Sequence, residues 1–327
     1  MIIEKLIWNN KYIKFVEKRE KLIEDIRKAL MRSGFFITEK QVTSSIFDLI
    51  AKREKLLLII KALFNVDSLK LENAIEIRYL AEILEALPFV VGEVCNSCAL
   101  EDGVIYLRHG VPATTKRTFI EYVKEESQPL IYAAPGGLYA RMDGTTLRMV
   151  REERSISLST IADIAGVSRK AITMYENGLM GASVDVVAKI EEFLNLPLTL
   201  PVDVEELTKK VESKIFTSDS LAGKFETKIF SLLESFGYDV SPFKHCPFDA
   251  VVSKGESILS EMETREMKTK AQALASISKV VEKKSVIFVK KGKKDHFKGI
   301  AMISEEEVKK FPEDLFELIE KKRKIQK

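Results

Sequence analysis

The chain has 327 residues, 46% of them hydrophobic and 31% charged, with a formal net charge of only +3. That length holds two or three domains, each able to bury its own core. No apolar run approaches the roughly 18 residues of a membrane span, and Met1-Ile2-Ile3-Glu4-Lys5 lacks the basic start and apolar stretch of a secretory leader, so a cytoplasmic protein with no membrane partner is expected. The three cysteines make no disulfide framework. Cys95-Asn96-Ser97-Cys98 offers two of the four ligands that zinc requires, and Cys246 with His245 lies far along the chain. The segment reads as a polar loop, with neither metal nor cofactor expected.

In chain order, residues 20–33 place Leu22, Ile23, Ile26 and Leu30 at helical spacing, and Gly34 ends that helix. Ile46–Ala51 and Leu56–Lys61 are apolar runs of strand length joined by a charged turn. Leu69 to Leu87 returns to helical periodicity. Phe89-Val90-Val91 and Val104–Leu107 read as strands, followed by a helix near Lys116–Lys124. Pro129–Tyr132, the turn Pro135-Gly136-Gly137 and Leu138–Met142 form a β-hairpin ending at Asp143-Gly144. A linker is expected at Leu196–Pro201, where two prolines fall in six residues, and residues 203–221 read as partly helical before the Ser/Thr/Asp-rich 217–220.

The last third follows the order of the first: a helix at 222–235, strands at Phe248–Val252 and Ser257–Met262, a helix at 268–283, then strands Val286–Val289 and Ile300–Ile303 that close the sheet. A further helix begins at Ser304. Gly34-Phe35 answers Gly237-Tyr238, Phe47-Asp48 answers Phe248-Asp249, and Gly110-Val111 answers Gly299-Ile300. This pattern predicts a duplicated α/β unit, against a chance agreement of generic α/β patterns. The expected division is an α/β domain at 1–128, a hairpin and helical domain at 129–200, a linker at 201–221 and a second α/β domain at 222–327.

The densest signal lies in 144–196. A helix near Thr145–Glu153 points Leu147 and Val150 inward and spaces Arg148, Arg151 and Arg154 by three, either toward phosphate or as a solvated face. Ser157 caps a second helix with Leu158, Ile161, Ala162 and Ala165 at core spacing. Gly166 supplies the positive φ that a tight turn needs, Val167 plugs the angle between helices, and Ser168 caps a third helix. Ile172 and Tyr175 face inward there, which leaves Arg169, Lys170 and Thr173 outward near its N-terminus. Asn177-Gly178 ends it, and Ser183 starts a fourth helix carrying Val187, Ile190 and Leu194. A helix–turn–helix places such a third helix in the major groove of DNA, where N-terminal residues meet base edges and Arg pairs with guanine. Arg169, Lys170 and Thr173 are the base-reading candidates, and Arg151, Ser168 and Asn177 the phosphate-side ones.

Leu147-Arg148, Arg151 to Arg154, Ser157-Leu158, Ile161-Ala162, Gly166 to Arg169, Ile172 and Tyr175-Glu176-x-Gly178 resemble the Cro-type, phage-repressor-like helix-turn-helix family. The resemblance implies a bundle of four or five helices that reads DNA through its third helix, with dimers on paired half-sites. Leu158 departs from it, since the family often has a polar, phosphate-contacting residue there. Over nearly its full length the chain resembles a group of archaeal transcriptional regulators with this domain between α/β arms, a likeness that includes Gly136 to Tyr139 and Asp143-Gly144.

The arms look like restriction-endonuclease-like folds. Such nucleases need an Asp and then an acid two residues before a Lys, because two carboxylates hold the Mg²⁺ that generates the attacking hydroxide. The first arm has Asp48 and Lys61 but Ile59 where the acid should stand, and is expected to be inactive. The second has Asp249, Glu261, Glu263 and Glu266-Met267-Lys268. This last triplet has the acid-x-Lys form but falls beyond the strand, as a solvated turn would. His109, His245 and His296 form no pairing with Ser or Cys. Lysines crowd 279–298, eight against Glu282 and Asp295, either to hold phosphate or as ordinary charged surface, whereas 141–200 carries seven basic against eight acidic residues. The expectation is a fold of α/β plus all-α type: a central helix–turn–helix flanked by two related, degenerate arms. It acts on double-stranded DNA as a sequence-specific transcriptional regulator and homodimer, not as an enzyme. The alternatives are a nuclease-like protein with a metal-dependent C-terminal domain, or a protein-interaction module.

Overall fold

A computed structural model of the chain describes residues 2–39, 45–96, 98–125, 128–209, 224–264, 267–290, 295–310 and 315–324. The chain opens with a long helix α1 (Ile2–Arg32), a short strand β1 (Phe36–Ile37) and the hairpin β2 (Leu49–Arg53) and β3 (Leu56–Ala62). After a 3-10 turn come α2 (Leu71–Leu84), β4 (Leu87–Gly92), the small hairpin β5 (Val94–Cys95) and β6 (Cys98–Ala99), β7 (Val104–Arg108), β8 (Val111–Thr115) and α3 (Lys116–Lys124). A second hairpin, β9 (Ile131–Ala134) and β10 (Gly137–Met142), feeds the helical segment: α4 (Gly144–Glu153), α5 (Leu158–Ala165), α6 (Arg169–Glu176), β11 (Ala182–Ser183) and α7 (Val184–Leu194). Strand β12 (Thr199–Leu200) and α8 (Val204–Lys209) complete this part. The last part holds α9 (Lys224–Ser235), β13 (Asp239–Pro242), β14 (Ala250–Lys254), β15 (Glu256–Met262), α10 (Met267–Val281), β16 (Lys284–Val289), β17 (His296–Phe297), β18 (Ile300–Ser304), α11 (Glu305–Lys310) and α12 (Leu315–Lys324).

Two compact units emerge, and each takes discontinuous stretches of chain: 1–29, 62–69 and 89–211 in one, 30–61, 70–88 and 212–327 in the other. The first and last parts share one pattern of strand pairing. In the last part β13, β14 and β15 are antiparallel neighbours. β15 then runs parallel to β16, β16 parallel to β18, and β18 antiparallel to β17. The first part repeats both trios: β1, β2 and β3 are antiparallel, while β4 runs parallel to β8 and β8 antiparallel to β7. The parallel step from β15 to β16 requires a crossover, which α10 supplies. Val286–Val289 in that crossover strand is buried throughout, as a strand covered on both faces must be.

Within the second unit the two copies also grip each other reciprocally. Tyr79 on α2 shares a 2.6 Å hydrogen bond with Ser241 on β13. Ser276 on α10 accepts from the Glu39 backbone N–H, just past β1, at 2.7 Å. Helix of one copy to first strand of the other, in both directions, is the pattern of an approximate two-fold.

Several expectations need correction. The run Leu196–Pro201 is no free linker: β12 pairs antiparallel with β10, Arg141 opposite Leu200 and Met142 opposite Thr199. Glu191 Oε1 accepts from the backbone N–H groups of Leu198 and Thr199, at 2.6 and 2.8 Å. Carboxylate caps of this kind order a segment whose prolines suggest looseness. Val111–Thr115, to which the sequence pattern assigns no element, is a strand paired with β7 and β4, and its last residue Thr115 is the N-cap of α3. The second sheet is closed by β17 rather than by β18. The expected features at 217–220 and Glu266 lie outside the described residues.

Candidate nucleic-acid interface

The helical segment is set by local chemistry. Asp143, Ser157 and Ser168 each cap the helix that follows, accepting from Thr146, Thr160 and Ala171 respectively. Their oxygens satisfy N–H groups that have no partner inside a helix. Gly166 holds φ +71° at the turn between α5 and α6, where any other residue would be strained. Leu147, Ile161, Ala162, Ile172, Val187, Ile190 and Leu194 form the buried core, with Val150 and Tyr175 closing it. Gly144 is the point of closest approach. A Cβ there would lie 2.3 Å from the Tyr175 carbonyl oxygen and 2.5 Å from that of Glu176, so only glycine lets the start of α4 pass under the end of α6.

The third helix presents its N-terminus outward. Arg169 and Lys170 are exposed while Ile172 and Tyr175, on the opposite face, are buried. Ser168 is exposed and capping. Thr173 is half-buried, and its hydroxyl donates to the Arg169 carbonyl at 3.1 Å. Asn177 lies at the far end, where its side-chain oxygen accepts from Arg148 at 3.4 Å.

Arg151 is in a different position from the other candidates. Its side chain is only 13% exposed and forks onto Glu176, Nε to Oε1 at 2.6 Å and Nη2 to Oε2 at 3.2 Å. Arg148 adds a third contact to Oε2 at 3.3 Å. Glu176, 2% exposed, is therefore buried with both oxygens occupied, and its hydrogen bond holds the Arg151 guanidinium firmly protonated. This clamp ties α4 to the end of α6 and fixes the angle at which the third helix is offered. Sequence reasoning placed Glu176 in a motif but gave it no role. The Arg148/Arg151 spacing with a Glu just after Tyr175 is the signal that could have found it. Arg154, third in that arginine series, donates instead to the Leu194 carbonyl at 2.8 Å. Leu158, the family departure, packs against the core.

The arms place their acids differently. In the first, Lys61 lies 3.6 Å from Asp48 and also donates to the Ser45 carbonyl. Ile59 is buried where a second carboxylate would be needed, so these residues do not fit a divalent metal. In the second, the hairpin register sets Asp249 across from Glu261, and Lys270 of α10 bridges them, 2.7 Å from Glu261 and 3.6 Å from Asp249. Glu261 is fully buried, and its Oε2 has no hydrogen-bond partner. Burial, with Asp249 beside it, pushes the Glu261 carboxyl up to about 8. Glu263 stands apart and accepts from the Lys290 backbone N–H. His245 pairs through Nδ1 with Glu76 at 2.8 Å, and Cys95 and Cys98 face each other across the β5–β6 hairpin as free thiols. Among the described residues no group of three or more His, Cys, Asp or Glu is arranged to hold a metal ion, and no helix is long and apolar enough to cross a membrane.

Comparison with known proteins gives two family matches. Residues 147–200 match a helix-turn-helix model, and residues 19–129 match a PD-(D/E)XK superfamily domain. Full-length relatives are similar too. A protein of Methanocaldococcus jannaschii is 35% identical over 89% of this chain and 92% of its own. One from Methanosarcina acetivorans is 34% identical over 93% and 98%, and one from Archaeoglobus fulgidus 33% over 88% and 92%. Each bears the name "putative HTH-type transcriptional regulatory protein".

Proposed function

The chain belongs to this family of archaeal HTH-type transcriptional regulatory proteins, and on that premise we propose that it is a sequence-specific DNA-binding regulator whose α6 enters the major groove. The observation that carries the reading is the division of α6 into two faces. Arg169 and Lys170 project into solvent at its N-terminus, while Ile172, Tyr175 and the Glu176 clamp anchor the other side. Arg169, Lys170 and Thr173 read base edges. Ser168 and Asn177 bracket the helix on the phosphate side. Arg151, committed to Glu176, contributes by orienting α6 and adds to the phosphate side only through its charge.

With a reader of slightly negative net charge, affinity rests on a few well-placed contacts and on pairing of two readers. A homodimer on half-sites about one helical turn apart, roughly 34 Å, is the expected assembly. The reader spans 129–200, between α/β domains at 1–128 and 222–327 joined through 201–221. Both arms serve binding or assembly, and the double-stranded DNA partner places the protein in the cytoplasm. The first arm is degenerate as a nuclease, given Ile59 and the Asp48–Lys61 pair.

The test is selection of bound fragments from random or genomic DNA, followed by gel-shift titration across salt. A single enriched motif, whose affinity falls on Arg169→Ala and on the Arg169/Lys170 double alanine, supports the reading. Equal affinity for all fragments, or a double alanine that keeps both affinity and salt slope, overturns it.

A further inference from the structure

Beside the C-terminal end of α6 the chain encloses a cavity of about 410 Å³, inside the range of about 300–1,000 Å³ that small-molecule sites occupy. It lies wholly within the first unit. One side is the β9–β10 hairpin, where the Tyr132 and Tyr139 rings stack with centroids 6.1 Å apart. Another is the loop from α6 to β11, with Leu179 70% and Met180 42% exposed. The turn into α8, from Val202 to Leu207, closes it. Gly181 is required for this arrangement, since a Cβ there would lie 2.2 Å from the Tyr132 hydroxyl oxygen and 3.0 Å from the Ala140 carbonyl oxygen. The same loop is fastened to α6: the N–H groups of Gly178 and Leu179 donate to the Tyr175 and Met174 carbonyls at 3.0 and 2.9 Å. Three charged groups line the cavity. Arg141 pairs with Glu206, and Asp203 accepts from the Glu206 backbone N–H at 2.9 Å while its side chain stays exposed. Two carboxylates against one guanidinium leave a negative balance next to two aromatic rings. Aromatic faces beside carboxylates attract an organic cation and repel an anion.

We propose that this cavity is an effector site for a small amphipathic amine. The ammonium lies against Asp203 and Glu206, and the apolar body rests on the tyrosine rings and Met180. The effector role, though not the site itself, rests on the reading of the chain as a DNA-binding regulator. An amine that fills the cavity braces the 178–181 loop against the hairpin. That loop continues from the end of α6 opposite to Arg169 and Lys170, so bracing it holds α6 in one setting before DNA arrives. A ligand raises affinity at a second site only by binding one setting better than the others, and the coupling is reciprocal. Methionine, which adapts its shape to what it meets, suits a wall that closes on a flexible ligand.

The experiment titrates the full-length protein, free of DNA, with phenethylamine, tyramine and hexylamine by calorimetry, beside hydrocinnamate as an anion of matching shape. The Met180 methyl resonance of the unmodified protein reports where the amine sits. One amine per chain is expected, with a Kd below about 1 mM, a shift of the Met180 methyl and no saturable binding of hydrocinnamate. D203N keeps the helix cap and removes a charge; it and E206Q should each weaken amine binding about threefold, and Y132L about fivefold. The D203N/E206Q double variant leaves Arg141 alone in the lining and should turn the preference toward hydrocinnamate. A gel shift on the selected fragment, with amine at saturation, should show DNA affinity raised about fivefold or more. Absence of saturable binding by all three amines overturns the proposal. So does equal binding of hydrocinnamate, or binding that leaves the Met180 methyl unmoved. Unchanged DNA affinity at saturation overturns the effector role. Because position is read on the unmodified chain, the result stands even where a variant fails to fold. Amine binding at Met180 by a chain that binds no DNA supports the site and overturns the regulator reading instead.

Discussion

Glu176 in the reader and Glu261 in the second arm are both glutamates removed from water, and the protein treats them in opposite ways. Glu176 has both oxygens occupied by the arginines of α4. Glu261 has one oxygen on Lys270, the other on nothing, and a second carboxylate beside it. A buried carboxylate with every lone pair answered is a structural joint, while one left half answered is held neutral more readily, and burial with Asp249 beside it pushes the Glu261 carboxyl up to about 8. Glu76 supports the rule from a third location: 2% exposed, it accepts from the backbone N–H groups of Lys244 and His245 and meets the His245 ring.

The comparison can be broken most directly by the same isosteric change at both sites. Glu176→Gln is expected to cost about 3–5 kcal/mol, because the largely buried Arg151 loses its buried counter-charge and keeps only the exposed Glu152 beside it. Glu261→Gln should cost clearly less, since Lys270 retains Asp249. Denaturant unfolding of the full chain at pH 7 measures both, and equal losses would erase the distinction. Gly144→Ala probes the joint without touching a charge. Its methyl group meets two carbonyl oxygens, and a loss of about 1–3 kcal/mol is expected, read in the same unfolding experiment.

Arg169→Ala separates reading from holding. It should weaken DNA binding by about 1–3 kcal/mol and relax preference at one base pair, with unfolding unchanged. A gel-shift series on single-base variants of the selected site measures that. The smallest effect is at Asp143, whose carboxyl is held below the usual carboxylate range by hydrogen bonds from the Thr146 hydroxyl and backbone N–H. A depressed pKa gives stability that is present above the unfolded value and lost as pH falls through the folded one. Asp143→Ala should cost about 1 kcal/mol at pH 7, as a lost N-cap does. Asp143→Asn should keep most of the cap yet lose that acid dependence, and unfolding from pH 7 down to 2 tells the two apart.

The reader was legible in sequence because its signals are local. Ser157, Gly166 and Ser168 act on N–H groups and dihedrals within a few residues of themselves, and Leu147, Ile161 and Ile172 declare a face by spacing alone. The clamp on Glu176 was hidden because its partners stand 25 and 28 positions earlier, and no periodicity connects them. Val111–Thr115 gave no strand signal, being short and interrupted by Pro112, and β12 hid behind two prolines. In the second arm the acid-x-lysine spacing falls at 266–268, beyond the strand. The lysine that meets Glu261 comes from the next helix, a position fixed by packing rather than by spacing. The α/β character of both arms was legible because strand-length apolar runs and turn glycines recur in the same order in each.

The pairing of β10 with β12 has an evolutionary consequence. The strand that delivers the chain into the helical segment and the strand that takes it out lie side by side, Met142 opposite Thr199. Everything between them is thus a cassette with adjoining ends, the arrangement in which inserted domains are tolerated. A lineage could exchange the contents of 143–198 for a helical reader of different sequence preference while the hairpin beneath kept its form. Target choice and scaffold would then evolve at separate rates within one polypeptide.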